Sequence, residues 1–159
     1  MAVYYSFHYD RDSWRVQQIA QMGSVEGQQI LNSQEWEEVK AKGRPAIEKW
    51  IADNMAYKTA VVVLVGAKTS TRPWVDYEIR KAWADKRAIV GVRIHGLLDK
   101  AEKADDPGAN PFENIPTTDG HKLSKYLTLH NPAGANSRAV YKSISDNMKT
   151  WADNAYKRS

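Results

Sequence analysis

An α/β fold of three layers, with a central parallel sheet of about five strands and helices on both faces, is the architecture this sequence predicts. Two observations carry it. Ala60–Val65 (AVVVLV) is continuously apolar and β-branched, and Ala88–Ile94 nearly repeats the pattern, interrupted only by Gly91 and Arg93. Strands that are apolar at every residue are buried on both faces, as interior strands of a parallel sheet are. From end to end, strand-like runs also alternate with segments of helical periodicity, the order expected of a doubly wound sheet.

Val3–Phe7 reads as the first strand. Asp12 is a plausible N-cap for the helix that follows, with Val16, Ile19 and Ala20 as its apolar stripe and Gly23 as its stop. Val25–Leu31 reads ambiguously as an irregular second strand. Ser33–Gly43 opens on a capping-type Ser before Glu-rich sequence and reads as a short helix. Pro45 suits a first helical position, with Ile47, Trp50, Ile51 and Met55 following at helical spacing. After Ala60–Val65 comes a helix over Trp74–Asp85, then Ala88–Ile94. Residues 96–125, rich in Pro, Gly, Asp and Asn, read as a long loop, and Tyr126–His130 as a fifth strand. Ser137 is a candidate cap for a last helix, to about 157, with Val140, Ile144, Met148, Trp151 and Ala155 on one face. With no linker or internal repeat, residues 1–159 read as a single flavodoxin-like domain.

Composition narrows the function classes. The 159 residues are 42% hydrophobic with six Trp and eight Tyr, enough for a sizeable core. The absence of Cys excludes disulfides, Cys nucleophiles and Cys-ligated zinc, and four scattered His residues form no metal-ligand spacing. No metal and no cofactor is expected. The net charge of +4 is interspersed along the chain without a basic run, which argues against nucleic acid. No apolar run approaches the roughly 20 residues of a membrane span, and no signal segment opens the chain, so a cytoplasmic location without membrane contact is expected.

The most informative segment is Thr59–Glu78, TAVVVLVGAKTSTRPWVDYE. It delivers a buried strand to the crevice where doubly wound folds bind ligands, then opens a helix with Trp74 and Glu78 one turn apart. On that helix Val75, Ile79, Ala82 and Trp83 form the apolar stripe, and Glu78 is expected at its edge, partly buried. The segment resembles the Trp-x-x-x-Glu element of Toll/interleukin-1 receptor (TIR) domains, and VYYSFHYDRD at Val3–Asp12 looks like the first TIR strand and its loop. YYSFHYDRDSWRVQQI, SQEWEEVKAKG, RPWVDYEIRKAW and Asn110–Phe112 together resemble the TIR-like proteins of the bacterial Thoeris anti-phage system. That closer resemblance runs from Met1 to about His130, whereas the general TIR resemblance covers about Ala2–Gly96 in patches. The region Val25–Gly43 does not align with the loop that follows the second strand in many TIR domains.

The resemblance implies a TIR-like fold and an NAD-cleaving activity in which NAD is the substrate. Glu78 would be the catalytic residue, an NAD glycohydrolase or ADP-ribosyl cyclase carboxylate acting without metal. It further implies a cyclic ADP-ribose-type signal that activates a partner effector, a phage-derived trigger and a possible homo-oligomer. Ser6, Phe7, His8, Tyr9 and Asp10 leave the first strand toward the same crevice and are candidate substrate contacts. Phe7 is equally readable as core, and His8 and Tyr9 are expected to be exposed. Trp74 could shield the carboxylate or stack on a substrate ring. Thr69 and Ser70 could hydrogen-bond ribose or phosphate, although such Ser/Thr clusters ordinarily form turns. His95, ending the fourth strand, is a weaker candidate. Trp36 reads as a buried helix residue, with a ligand platform as the alternative. The 96–125 loop is an element that could gate the crevice.

A non-catalytic TIR-like adaptor module is the competing reading, since one fold hosts both. A receiver-like domain is disfavoured because the third strand ends in Val65-Gly66 without a phosphoacceptor Asp. Neither GxGxxG nor the Walker pattern is present, which removes dehydrogenases and NTPases.

Overall fold

The computed structural model describes residues 1–159. Five strands form one sheet: β1 (Ala2–Ser6), β2 (Glu26–Gly27), β3 (Ala60–Val65), β4 (Ala88–Arg93) and β5 (Leu129–His130). Their spatial order is β2-β1-β3-β4-β5 and every neighbouring pair is parallel. This is the flavodoxin-like order, in which the chain reverses direction across the sheet after β2 and opens a crevice beyond the carboxyl ends of β1 and β3. The helices are α1 (Tyr9–Gln21), α2 (Ser33–Ala41), α3 (Arg44–Met55), α4 (Pro73–Ala84) and α5 (Ser137–Asp153). None of them is long and apolar enough to cross a membrane.

Because side chains alternate across a strand, each strand supplies two cores. On one face Val3 and Tyr5 of β1 join Val62, Leu64, Val90 and Val92 beneath α1 and α5. On the other, Tyr4 joins Val61, Val63 and Val65 beneath Ile47, Ile51 and Met55 of α3 and Val75, Ile79 and Ala82 of α4. All six residues of β3 are buried, as its unbroken apolar run predicts. Ser6 falls in register with Tyr4, so both look toward α4 rather than α1.

Several boundaries differ from the sequence expectation, each for a local reason. The cap of α1 is His8, whose ring accepts from the Arg11 N–H; Asp12 lies inside the helix, where it pairs with Arg15. Asn32 caps α2 in a capping box with Glu35, and Asn136 caps α5, so Ser33 and Ser137 are first helical residues instead. The second and fifth strands shrink to two residues each. Beyond Gly27 the ladder is continued by a side chain: the Gln28 amide accepts from Tyr5 N–H and donates to Tyr5 C=O, both at 2.8 Å. Gly23, at φ 72, terminates α1 as expected.

The 96–125 segment contributes no strand to the sheet, yet it is firmly held. Arg15, 1% exposed, donates from Nε to Leu97 C=O at 2.8 Å and from Nη2 to Lys103 C=O at 3.0 Å, and contacts Asp12 at 3.0 Å. Arg11 grips Asp105 through two hydrogen bonds. Farther along, Phe112, Ile115 and Leu123 enter the core on the α4 side. Gly66 and Gly108 let backbone and side chains meet here: a Cβ on Gly66 would lie 2.2 Å from Asp12 Oδ2, and one on Gly108 2.2 Å from Gly66 C=O.

Candidate active site

Glu78 is the residue around which the crevice is organised. Its position in the second turn of α4, one residue before the core residue Ile79, turns its carboxyl inward against β1, and it is buried at 7% exposure. Helix edge alone understated its burial because β1 brings two side chains to cover it. Ser6 Oγ donates to Oε1 at 2.8 Å, and Tyr4 Oη donates to Oε2. Burial raises the Glu78 pKa to about 7, while the Tyr4 and Ser6 hydrogen bonds work in the opposite direction by favouring the charged form. The carboxyl therefore titrates close to neutrality. Burial, with the Glu78 charge next, holds the Tyr4 phenol well above its ordinary range, so it remains a donor.

In front of this carboxyl lies a narrow, mostly apolar cavity of about 40 Å³ that opens toward solvent at its mouth. Aromatic rings form a continuous wall around it. Phe7 stacks on Tyr9 at 5.4 Å between centroids, Tyr9 on Trp36 at 5.2 Å, and Trp36 meets Trp50 edge-on at 6.1 Å. Trp50 in turn meets Tyr4 edge-on at 6.4 Å, which returns the chain of rings to Glu78. Trp74 also lines it, with the Arg44 guanidinium over its ring at 4.9 Å. Gln28, Ile30 and Leu31 line the remainder, and Glu78 is the sole carboxylate in the wall.

The predicted site residues divide into groups. Phe7, Tyr9, Trp74 and Glu78 share this cavity, and Ser6 reaches it only through its bond to Glu78. His8 and Asp10 lie in an adjoining recess with Lys40 and Arg72, which shares Phe7, Tyr9, Trp36 and Trp74 with the main cavity. His8 and Tyr9 are half-buried, not exposed. Burial, with Arg72 nearby, lowers the His8 pKa and keeps the ring neutral at physiological pH. Thr69 is fully buried, and its hydroxyl accepts from Gly66 N–H at 2.8 Å, the turn-forming role its cluster ordinarily has. Ser70 accepts at its carbonyl from Asn114, and neither it nor Thr69 lines the cavity. His95 opens on a separate recess beside Gly134 and Val140.

Trp36 is a wall of the cavity, correcting its reading as a buried helix residue. Tyr4, Trp50 and Gln28 are site residues that sequence reasoning missed. For Tyr4 the signal was available: period-two alternation places it on the same face as Ser6, two residues on. None of the 96–125 residues lines the cavity itself. Asp99–Ala101 border a broader polar groove that meets the cavity at Tyr9 and Leu31. No three His, Asp or Glu side chains gather into a metal-holding cluster.

The model of the family described as Thoeris protein ThsB, TIR-like domain, matches residues 4–99. The chain belongs to this family. The match includes every wall of the Glu78 cavity and stops where the tethered loop begins. A relative in Bacillus cereus, ThsB1, carries the name of a candidate cyclic ADP-D-ribose synthase. It is 29% identical over 132 residues, covering 78% of this chain and 69% of that protein. For this ThsB-family TIR-like domain, the Trp74–Glu78 pair and the first-strand segment therefore line one narrow, mostly apolar cavity, with Glu78 in its wall.

Proposed function

We propose that this protein is an NAD-cleaving enzyme that releases nicotinamide and makes a cyclic ADP-ribose-type signal, which activates a partner effector in anti-phage defence. The observation that carries the proposal is the solitary Glu78 carboxyl in an otherwise aromatic and apolar cavity, within the stretch that matches the ThsB family. Nicotinamide in NAD is already a cationic leaving group. The glycosidic C–N bond breaks with its electron pair going to nicotinamide, and the ribosyl carbon becomes oxocarbenium-like. The Glu78 carboxylate orients the ribose hydroxyls and offsets the developing positive charge, as carboxylates do in glycoside chemistry. No metal or cofactor is required for that step.

The rings of Trp36, Tyr9 and Trp74 are suited to hold the nicotinamide and ribose and to keep bulk water from the ribosyl carbon. Attack by water gives ADP-ribose and a proton; attack by an atom of the adenosine half gives the cyclic product, and a dry cavity favours the latter. The cavity is too narrow for a whole dinucleotide, so the ADP half extends outward, along the groove that begins at Tyr9 and Leu31. Activity in the isolated protein is low until a phage-derived trigger, acting on the monomer or on a homo-oligomer, switches it on.

The test is incubation of the purified protein with NAD, with and without extract of phage-infected cells, followed by mass analysis of nicotinamide and ADP-ribose species. Triggered release of nicotinamide with a cyclic product supports the enzyme. Absence of turnover in both conditions supports the adaptor reading instead.

A further inference from the structure

We infer that Tyr4 and Ser6 are positioning residues for Glu78, a pair of hydroxyl donors that fixes the direction of its carboxyl and favours its charged form. The inference rests on the NAD-cleaving reading for its kinetic consequence, but its geometry stands alone. Tyr4 and Ser6 are two residues apart on β1, so both face α4, and each donates to a different oxygen of the same carboxyl. All three groups are buried. A carboxylate accepts at about four lone-pair positions. With one position on each oxygen filled from β1, the others are left for ribose hydroxyls on the cavity side, and rotation of the carboxyl would break both bonds.

Charge control follows from the same contacts. A hydroxyl that donates to a carboxylate stabilises the ionised form, in opposition to desolvation. The surroundings offer no competing source of that stabilisation. Across the core from α4, β3 presents Val61, Val63 and Val65, and β4 presents Ile89. The other ionisable side chains in the cavity wall are Tyr5 and Tyr9, both pushed up to about 12 by burial and so neutral. Arg44 of α3, itself exposed, lies over the Trp74 ring and pairs with Glu48, Arg72 stands exposed before the first turn of α4, and Asp76 and Arg80 pair with each other on its solvent side. Tyr4 and Ser6 are thus the groups that can keep Glu78 ionised near neutral pH.

The experiment compares wild type, Tyr4→Phe and Ser6→Ala by two readouts. The first is the titration midpoint of the Glu78 carboxyl, followed by infrared difference spectroscopy with Glu78→Gln as the blank. The second is kcat and KM for nicotinamide release across pH under triggered conditions. Removing the Tyr4 hydroxyl should raise the midpoint by about one pH unit or more, and removing the Ser6 hydroxyl should raise it by a smaller amount. At neutral pH kcat of Tyr4→Phe should fall about tenfold with KM nearly unchanged, and part of the loss should be recovered above the new midpoint. Unmoved midpoints in both variants, or a loss equal at every pH, would overturn the inference. Should Tyr4→Phe fail to fold by circular dichroism, Ser6→Ala decides. Absence of turnover in all proteins defeats the enzyme reading, while the infrared midpoints still decide whether the hydroxyls hold the charge.

Discussion

Ser6 Oγ donates to Glu78 Oε1 at 2.8 Å, although 72 residues separate them. That one bond joins the two sequence segments on which the family resemblance rests. It does so because β1 and β3 are parallel neighbours whose carboxyl ends lie at the same edge of the sheet, with α4 following β3 over that edge. The first strand and the Trp-x-x-x-Glu helix are therefore two walls of one cavity.

Burial makes Glu78 a source of pH-dependent stability. Its pKa is about 7 in the folded protein against an ordinary value of 4.5. A raised carboxyl pKa means that the folded state holds the proton more tightly, so the contribution is fully present below about pH 4.5 and is lost as pH rises through about 7. Over that window Glu78 costs about 3 kcal/mol of stability. Glu78→Gln cannot ionise and should lose this dependence: relative to wild type, its Tm should be higher at pH 8 than the same comparison gives at pH 5. Denaturation scans at both pH values check it, and an identical Tm difference at the two would refute it.

Trp36 has no fully buried neighbour on its own helix, since α2 contains none, and it meets the cavity with Tyr9 on one side. Trp36→Ala should therefore act on binding more than on folding. Loss of one stacking surface corresponds to about 1–3 kcal/mol for an aromatic base, so KM should rise about tenfold or more while kcat changes by less. Triggered turnover at varied NAD concentration measures both.

Arg15 is the anchor of the tethered loop, with its charge buried against Asp12 and its remaining donors on Leu97 and Lys103 carbonyls. Arg15→Met keeps much of the volume but leaves the Asp12 carboxyl without its partner. Breaking a buried pair on one side costs about 3–5 kcal/mol, which for a chain of this length is roughly a 10 °C fall in Tm. Calorimetry, with limited proteolysis of the 96–110 stretch, tests it; a fall below 3 °C would show that the loop is held by other contacts.

Much of this arrangement was readable in residue order. The sheet's centre was legible because β3 and β4 are unbroken apolar runs, and α3 because Pro45 sets its start. The edge strands were not, since two-residue strands leave no periodicity, and Gln28 does with a side chain what backbone pairing would otherwise do. Asn32 and Asn136 each precede a Ser equally able to cap a helix, so composition could not separate them. Glu78 stood out through the resemblance of Thr59–Glu78 to the TIR Trp-x-x-x-Glu element, since its spacing from Trp74 alone is common. Tyr4 shares a face with Ser6 by period-two alternation, yet it was missed because a tyrosine in a buried strand reads as core until its hydroxyl finds a partner 74 residues away. Trp36 and Trp50 likewise look apolar in sequence, and only the fold shows that their rings face open space.

Nicotinamide release by wild-type and Glu78→Gln protein, both supplied with NAD and extract of phage-infected cells, decides whether Glu78 carries the reaction. The substitution keeps the side chain's volume and removes its charge. If the carboxylate stabilises the ribosyl cation, the variant should release nicotinamide about 10²–10³-fold more slowly while retaining the wild-type circular dichroism spectrum. A folded Glu78→Gln protein that cleaves NAD at the wild-type rate would remove Glu78 from the chemistry.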